Sequence, residues 1–477
     1  MISEKMSRRT LLRAGAGAAA LAAAGPLARR VALAGEDTPR RLVAAPGRWA
    51  LVGPGHPQTE VWTYGGTVPG PIVRAKQGAR LSIQVENRLA QPTTVHWHGI
   101  RLPNAMDGVP DMTQKPIAPG ESFLYSFDLP DAGTYWYHPH FRSAEQVGRG
   151  LAGALIVEEA APPAVDRDLV WLIDDWRLTR DAEIAGGFND LHDMTHNGRI
   201  GNTVTVNGRV PETFAVRAGE RLRLRLINAA NARIFGLEFT GHRPVVLALD
   251  GQPVEPHEPE GGRVVLGPAM RADVILDMTG RPGERFAVND MFYRGMEYKL
   301  LDIVYGPEAP LRERPPDPVT RLAGNTMPEP DLAGARRHDV VFTGGMMGGM
   351  AGAMMGGRHM DVRELMRHGM AWAINGVAAG GHDLAPALTL ERGRTHVLAM
   401  NNETAWHHPI HLHGHAFRVI ARNGRPTRYR EWQDTVLVAP RERVDVAFVA
   451  DNPGDWMFHC HILEHQEGGM MSVFRVA

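Results

Sequence analysis

The stretch His459-Cys460-His461-Ile462-Leu463-Glu464-His465-Gln466-Glu467-Gly468-Gly469-Met470 holds the one cysteine of a 477-residue chain, set between two histidines. On a strand, residues i and i+2 face one way and the residue between them faces the other. His459 and His461 therefore aim two imidazoles into one space, while the Cys460 thiolate points to the opposite side. A thiolate, two imidazoles and a weak thioether form the blue-copper donor set. The chain offers the remaining donors in His465 and Met470, five and ten residues after Cys460, and in His408, three residues before His411. A single copper on Cys460 would lie one covalent step from whatever His459 and His461 bind.

Three further His-x-His pairs occur: His96-Trp97-His98, His138-Pro139-His140 and His411-Leu412-His413. Their spacing belongs to an internal repeat. Three segments begin with Gly and reach Asn nine positions later: Gly78 to Asn87, Gly219 to Asn228 and Gly393 to Asn402. Nine and eleven residues past each Asn stand His96 and His98, then Leu237 and Phe239, then His411 and His413. A later stretch repeats from Pro119 and Pro440 to the pairs His138/His140 and His459/His461; its middle copy, from Pro268, has Ala287 and Asn289 there. The middle copy shares Pro-x-x-Arg-x-Asp-Val with the third, through Arg271 and Asp273, then Arg443 and Asp445. Alternating runs such as Arg221-Leu222-Arg223-Leu224-Arg225-Leu226 predict strands. The chain reads as all-β: three consecutive Greek-key β-barrel domains, the outer two bearing histidines and the middle one a spacer. The expected limits are 35–160, 161–312 and 313–477, the last opening within a Pro-rich linker that runs from Pro307 to Pro330 and including a Met-rich segment. Eight imidazoles in one place make no sense as a dry core, because polar rings must be satisfied; neutral imidazole suits transition metals.

Charge is balanced, 52 Lys+Arg against 53 Asp+Glu, which points to neither nucleic acid nor an acidic membrane surface as partner. The abundance of Gly (53) and Pro (35) suits many turns between short strands. Residues 1–34 read as a twin-arginine signal peptide: Arg8-Arg9, an Ala/Gly run from Ala14 to Ala24, and a cleavage site at Ala32-Leu33-Ala34. An exported, periplasmic protein with no other membrane span is expected. No intramolecular disulfide is possible with one cysteine.

With these segments assembled, the sequence resembles the multicopper oxidase family of the bacterial laccase and cuprous oxidase type. The motifs HWHG, HPH, HPIHLHGH and HCHILEHQEGGM carry the likeness. It implies three cupredoxin-like domains and four copper ions. A type 1 copper would sit on His408, Cys460, His465 and Met470, and a type 2 copper on His96 and His411. A type 3 pair would take His98, His138, His140, His413, His459 and His461. The implied reaction is four one-electron oxidations coupled to reduction of O2 to water. Asp107 matches the family's proton-relay carboxylate. Bacterial relatives often place a Glu directly after the second type 1 histidine, where this chain has Gln466; Glu467 is the nearest substitute.

Between residues 346 and 370 lie eight methionines. Thioether sulfur prefers Cu(I). Met346, Met347, Met350, Met354, Met355 and Met360, with His359, form a possible substrate-copper site, and the segment resembles that region of cuprous oxidases. The competing reading is a Gly/Met loop with a short helix, its methionines serving as adaptable filler. Before His408 the chain has Thr404-Ala405-Trp406-His407, without the acidic and Met residues of some cuprous oxidases, so a phenol or aryl amine could approach beside Trp406. Cu(I) oxidation, laccase-like oxidation and a non-catalytic copper-binding role are the three functions to separate. Both halves of the cluster are on one chain, so a monomer suffices.

Overall fold

A computed structural model describes residues 39–314, 316–380 and 385–477. The twin-arginine segment lies outside the described residues. Three pairs of β-sheets follow one another along the chain. Each pair opens in the same way. Arg40–Trp49 runs parallel to Arg80–Asn87, which pairs antiparallel with Ser122–Asp128. Arg167–Trp176 stands in the same relation to Arg221–Asn228 and Arg271–Asp277, and Arg336–Gly344 to Thr395–Asn402 and Arg443–Val449.

The repeated Asn has one task in all three copies. Its side-chain amide donates to two backbone carbonyls: Gln91 and Ile117 for Asn87, Arg233 and Leu266 for Asn228, Trp406 and Ala439 for Asn402. Its Oδ1 accepts from the backbone N–H two residues on, at Leu89, Ala230 and Thr404. A buried amide with every group satisfied fixes the corner between the two sheets. The helices among the described residues are one or two turns long and join strands: Ser143–Gly148, Leu191–Thr195, Val362–Arg367 and Leu463–Glu467. None is long and apolar enough to cross a membrane.

Buried apolar side chains of the first and third sheet pairs form one continuous cluster, from Leu42 to Val476, while the middle pair has a core of its own. Alternation in Arg80–Asn87 gives one buried and one partly exposed face. The strand Arg221–Asn228, which alternates just as cleanly in sequence, is buried on both faces. Leu222, Leu224 and Leu226 enter the middle core. Arg223 and Arg225 face the first sheet pair, where Arg225 donates to Thr134 Oγ1 at 3.0 Å; Asp168 and Asp273 of neighbouring middle strands, with Glu159, compensate them. Buried arginine is tolerated because each guanidinium meets carboxylates, Arg225 gripping Asp168 in a two-oxygen fork.

Candidate metal centre

Strand register gives the histidines their positions. His96–His98 pairs with Gly133–His138 so that His96 lies opposite His138. His408–Leu412 pairs with Gly454–Cys460 so that His411 lies opposite His459. The second members His140, His413 and His461 fall just past their strands, yet their rings join the same space. The two halves interleave: the His96 ring stacks on His413 at 4.0 Å, and His98 on His411 at 3.8 Å. All eight rings are buried.

Outer partners decide which nitrogen of each ring faces inward, since one neutral ring nitrogen donates and the other accepts. His96 Nδ1 donates to the Asp107 carbonyl at 2.8 Å, and His413 Nδ1 donates to Asp107 Oδ2 at 2.8 Å. His411 Nδ1 donates to the Asp434 carbonyl at 2.8 Å, His459 Nδ1 to the Cys460 carbonyl at 2.8 Å, and His138 Nδ1 to the Pro139 carbonyl at 3.1 Å. These five rings therefore turn the Nε2 lone pair inward. His98 does the reverse: its Nε2 donates toward Asp434 Oδ1 and Thr435 Oγ1, at 3.1 and 3.0 Å, leaving Nδ1 free.

Among the described residues the inward His96 Nε2, His98 Nδ1 and His411 Nε2 are buried without a hydrogen bond, as are His461 Nδ1 and both nitrogens of His140. His413 Nε2 faces His459 Nε2 at 3.1 Å, and His461 Nε2 faces His138 Nε2 at 3.4 Å. Burial, then the neighbouring imidazoles, pushes His98, His140 and His413 well below the ordinary histidine value; burial dominates for His138, His411, His459 and His461 too. Neutral rings with unpaired lone pairs, each costing about 1–3 kcal/mol unless engaged, suit a cluster of metal ions. Among the described residues, His96/His98/His138 and His96/His140/His413 each bring three ligand atoms within one ion's reach.

On the other side of Cys460 a second site forms. Cys460 Sγ lies 3.5 Å from His408 Nδ1 and 3.8 Å from His465 Nδ1, which are 3.2 Å apart. His408 Nε2 donates to Thr404 Oγ1 at 2.8 Å, and His465 Nε2 to the His196 carbonyl at 2.6 Å, so both turn a lone pair toward sulfur. Met470 is fully buried, and its backbone meets both ligands: its N–H donates to the His465 carbonyl, and its carbonyl accepts from Cys460 N–H. Burial pushes the Cys460 thiol up and His465 down to about 3. A metal cation is what such a site calls for, since it binds thiolate in place of thiol.

Asp107 lies between His96 and His413, its carbonyl accepting from the one and its Oδ2 from the other. Gly108 explains the close approach: its φ is +80°, and a Cβ there would lie 2.0 Å from the Val95 carbonyl oxygen. Glu467 is partly buried and accepts from Ser143 Oγ at 3.1 Å, from Ala144 N–H at 2.9 Å and from Asn189. Sequence reasoning missed Asp434, whose carboxylate and carbonyl serve His98 and His411 as Asp107 serves His413 and His96. It missed Glu464 as well, a fully buried carboxyl that burial pushes up to about 7 and that accepts from Arg199 N–H and Asn231.

The Met-rich segment is a folded unit. Gly352–Met355 and Arg358–Asp361 make a hairpin, followed by the helix Val362–Arg367. Met350, Met355, Met360 and Met370 pack with Ala353, Leu365, Ala373 and Ala378, as the filler reading expects. Met346, Met347 and Met354 are exposed, and His359, also exposed, lies directly across the hairpin from Met354. Met346 is pinned at the thiolate site: its N–H donates to the Thr195 carbonyl, and Trp406 Nε1 donates to its carbonyl. The next residue, His196, supplies the carbonyl that holds His465.

A thiolate site joined through one residue to a cluster of histidines is the layout of a redox protein that takes electrons singly and delivers several together. Profiles described as multicopper oxidase match residues 49–162, 167–299 and 358–477. The chain is 32% identical to the multicopper oxidase MmcO of Mycobacterium tuberculosis over 451 residues, covering 87% of this chain and 83% of that protein. It is 26% identical to copper resistance protein A of Escherichia coli, covering 87% and 89%. A multi-copper oxidase crystal structure from Pseudomonas thermotolerans superimposes with a TM-score of 0.80 at 35% identity, covering 92% of this chain and 99% of that one. The chain belongs to the multicopper oxidase family. It is an oxidoreductase that binds copper and uses oxygen as electron acceptor, built of cupredoxin-like β domains.

Proposed function

We propose that this chain couples one-electron oxidation of a small reducing substrate, foremost Cu(I), to reduction of O2 to water, with four copper ions. His408, Cys460, His465 and Met470 would hold the type 1 ion, His96 and His411 the type 2 ion, and His98, His138, His140, His413, His459 and His461 the type 3 pair. Bound there, copper supplies one-electron steps at the first site and four-electron reduction of oxygen at the others. The chain does the rest. Cys460 lies between His459 and His461, so the entry site and the cluster share a continuous covalent path. Thr404 and the His196 carbonyl fix the two type 1 imidazoles. Asp107 and Glu467 are the carboxyls placed to pass protons: Asp107 lies against His96 and His413, and Glu467 is tied to Ser143 and Ala144, three and four residues past His140.

The observation that carries the Cu(I) reading is the pinning of Met346 between Thr195 and Trp406, at the edge of His465. It fixes the backbone of Met346, whose exposed thioether is a soft donor for Cu(I), against Thr195, next to the residue whose carbonyl holds His465. Leucine keeps the volume of methionine and removes its sulfur. Replacing Met346, Met347 and Met354 together with Leu is expected to slow Cu(I)-driven oxygen uptake by about tenfold or more and leave dimethoxyphenol oxidation in place. Unchanged Cu(I) oxidation alongside faster phenol oxidation would make the segment a lid and the enzyme laccase-like.

The first 34 residues support export through the twin-arginine route, with the folded chain acting as a monomer in the periplasm. Changing Arg8 and Arg9 to Lys is expected to leave the protein in the cytoplasm, read by fractionation; unchanged export would remove this reading.

A further inference from the structure

The middle sheet pair carries no histidine of the cluster, yet two of its side chains reach it. Arg271 is fully buried and grips Asp434 with both arms, Nη1 to Oδ1 at 2.8 Å and Nη2 to Oδ2 at 2.5 Å, while its Nε donates to the Thr134 carbonyl of the first sheet pair at 3.2 Å. Asp250, also fully buried, accepts from Arg271 N–H at 2.9 Å through Oδ1. Its Oδ2 accepts from the backbone N–H groups of Asp434 and Thr435 at 3.2 and 3.0 Å. Asp434 is thus held on its backbone by one middle residue and on its carboxylate by another.

What Asp434 then does is specific. Its Oδ1 and the Thr435 hydroxyl are the acceptors for His98 Nε2, the outer partners of that ring among the described residues. They make His98 the ring that turns Nδ1 inward. The Asp434 carbonyl fixes His411 in the opposite sense. One residue therefore sets one ring from each ligand-bearing half. Gly99, directly after His98, shows how tightly this is built: its φ is +86°, and a Cβ there would lie 2.4 Å from Arg271 Nη2 and 2.5 Å from Asp434 Oδ2. The repeat supplies an internal control. Arg443, the third-copy counterpart of Arg271, is 48% exposed and bonds only its neighbour Asp445. The motif alone does not demand burial; the position beside the cluster does.

We propose that Arg271 and Asp250 are positioning residues for the copper cluster, holding Asp434 so that His98 and His411 present the ring nitrogens that accept metal. The inference rests on the ligand set proposed above. Outer partners of this kind typically change metal affinity by 10–100-fold.

The test uses the full chain, loaded with copper and compared with Arg271→Gln and Arg271→Lys by copper per chain, blue absorbance and the paramagnetic signal of type 2 copper. Arg271→Gln is expected to keep its blue colour, because the type 1 ligands all come from the third sheet pair, but to hold about two copper ions or fewer and to lose or shift the type 2 signal. Arg271→Lys should restore part of the missing copper, since lysine returns the charge without the fork. If Arg271→Gln does not fold, the double variant Arg271→Met/Asp434→Leu removes both buried charges at once, a change buried pairs often tolerate; it should fold, stay blue and lack cluster copper. Four ions and an unshifted type 2 signal in Arg271→Gln, or in the double variant, overturn the inference. A wild type holding fewer than four ions overturns the ligand set and this inference with it, whereas four in both wild type and variant overturns this inference alone.

Discussion

Cys460→Ser will give a colourless protein whose oxygen uptake falls to background with Cu(I) and phenol alike, while the histidine cluster still takes up copper. The sulfur is the one donor that distinguishes the entry site, and no other cysteine exists to replace it. It is also the start of the covalent path into His459 and His461. A hydroxyl is a far weaker ligand for a soft ion than a thiolate. The exchange is small in volume, so Ile410 and the other strand neighbours remain packed and circular dichroism should match wild type. Oxygen consumption retained in the variant would show that electrons reach the cluster by another route and would sink the mechanism.

Copper-free protein will unfold on mild acidification, and copper-loaded protein will not. The folded-state values of His98, His138, His140, His408, His411, His413, His459, His461 and His465 are all depressed by burial. The unfolded chain protonates these groups near about pH 6.5, the folded chain only at lower pH. As pH falls below the unfolded value, the unfolded state therefore binds more protons and stability is lost, continuing toward the depressed folded values. Each group costs about 1.4 kcal/mol per pH unit in that window. Nine buried imidazoles share this direction, so their losses add as the pH falls. Metal occupies the lone pairs that protons would take, so loading should move the acid midpoint down by at least about one pH unit. Circular dichroism against pH, with and without copper, reads this directly. Superimposable curves would mean that these imidazoles are not the groups that titrate on unfolding.

How far such features can be read from the sequence depends on how local they are. Four His-x-His pairs and one flanked cysteine are legible because strand geometry converts spacing into direction, and the repeated Asn made the register of three copies visible. The strand around Arg223 shows the limit: alternation predicts a strand, but nothing local tells that carboxylates from other strands bury its arginines. The Met-rich segment allows both readings, and the protein divides it, with four of its eight thioethers in a small core, three exposed and Met366 half-buried. Asp434, Arg271 and Asp250 were not legible as a unit. The Arg271–Asp434 pair joins residues 163 apart, and an Asp in the bend between two short strands carries no local mark of the neighbours that will satisfy it. The motif containing Arg271 was noticed, but nothing in it told a buried copy from an exposed one.

The interleaving of His96 on His413 and of His98 on His411 has a consequence for the order of events during biogenesis. The cluster's contacts join positions more than 300 residues apart, as between His138 and His461 or Asp107 and His413. No ribosome-bound fragment that lacks the C-terminal strands can assemble it, and contacts of this span close late in folding. Metal therefore cannot act as an early template. It must enter a chain whose two ends have already met, and once in place it staples those ends together. Copper bound in the cluster then adds to the apolar core that the first and last thirds already share, so metal loss loosens their junction without parting them.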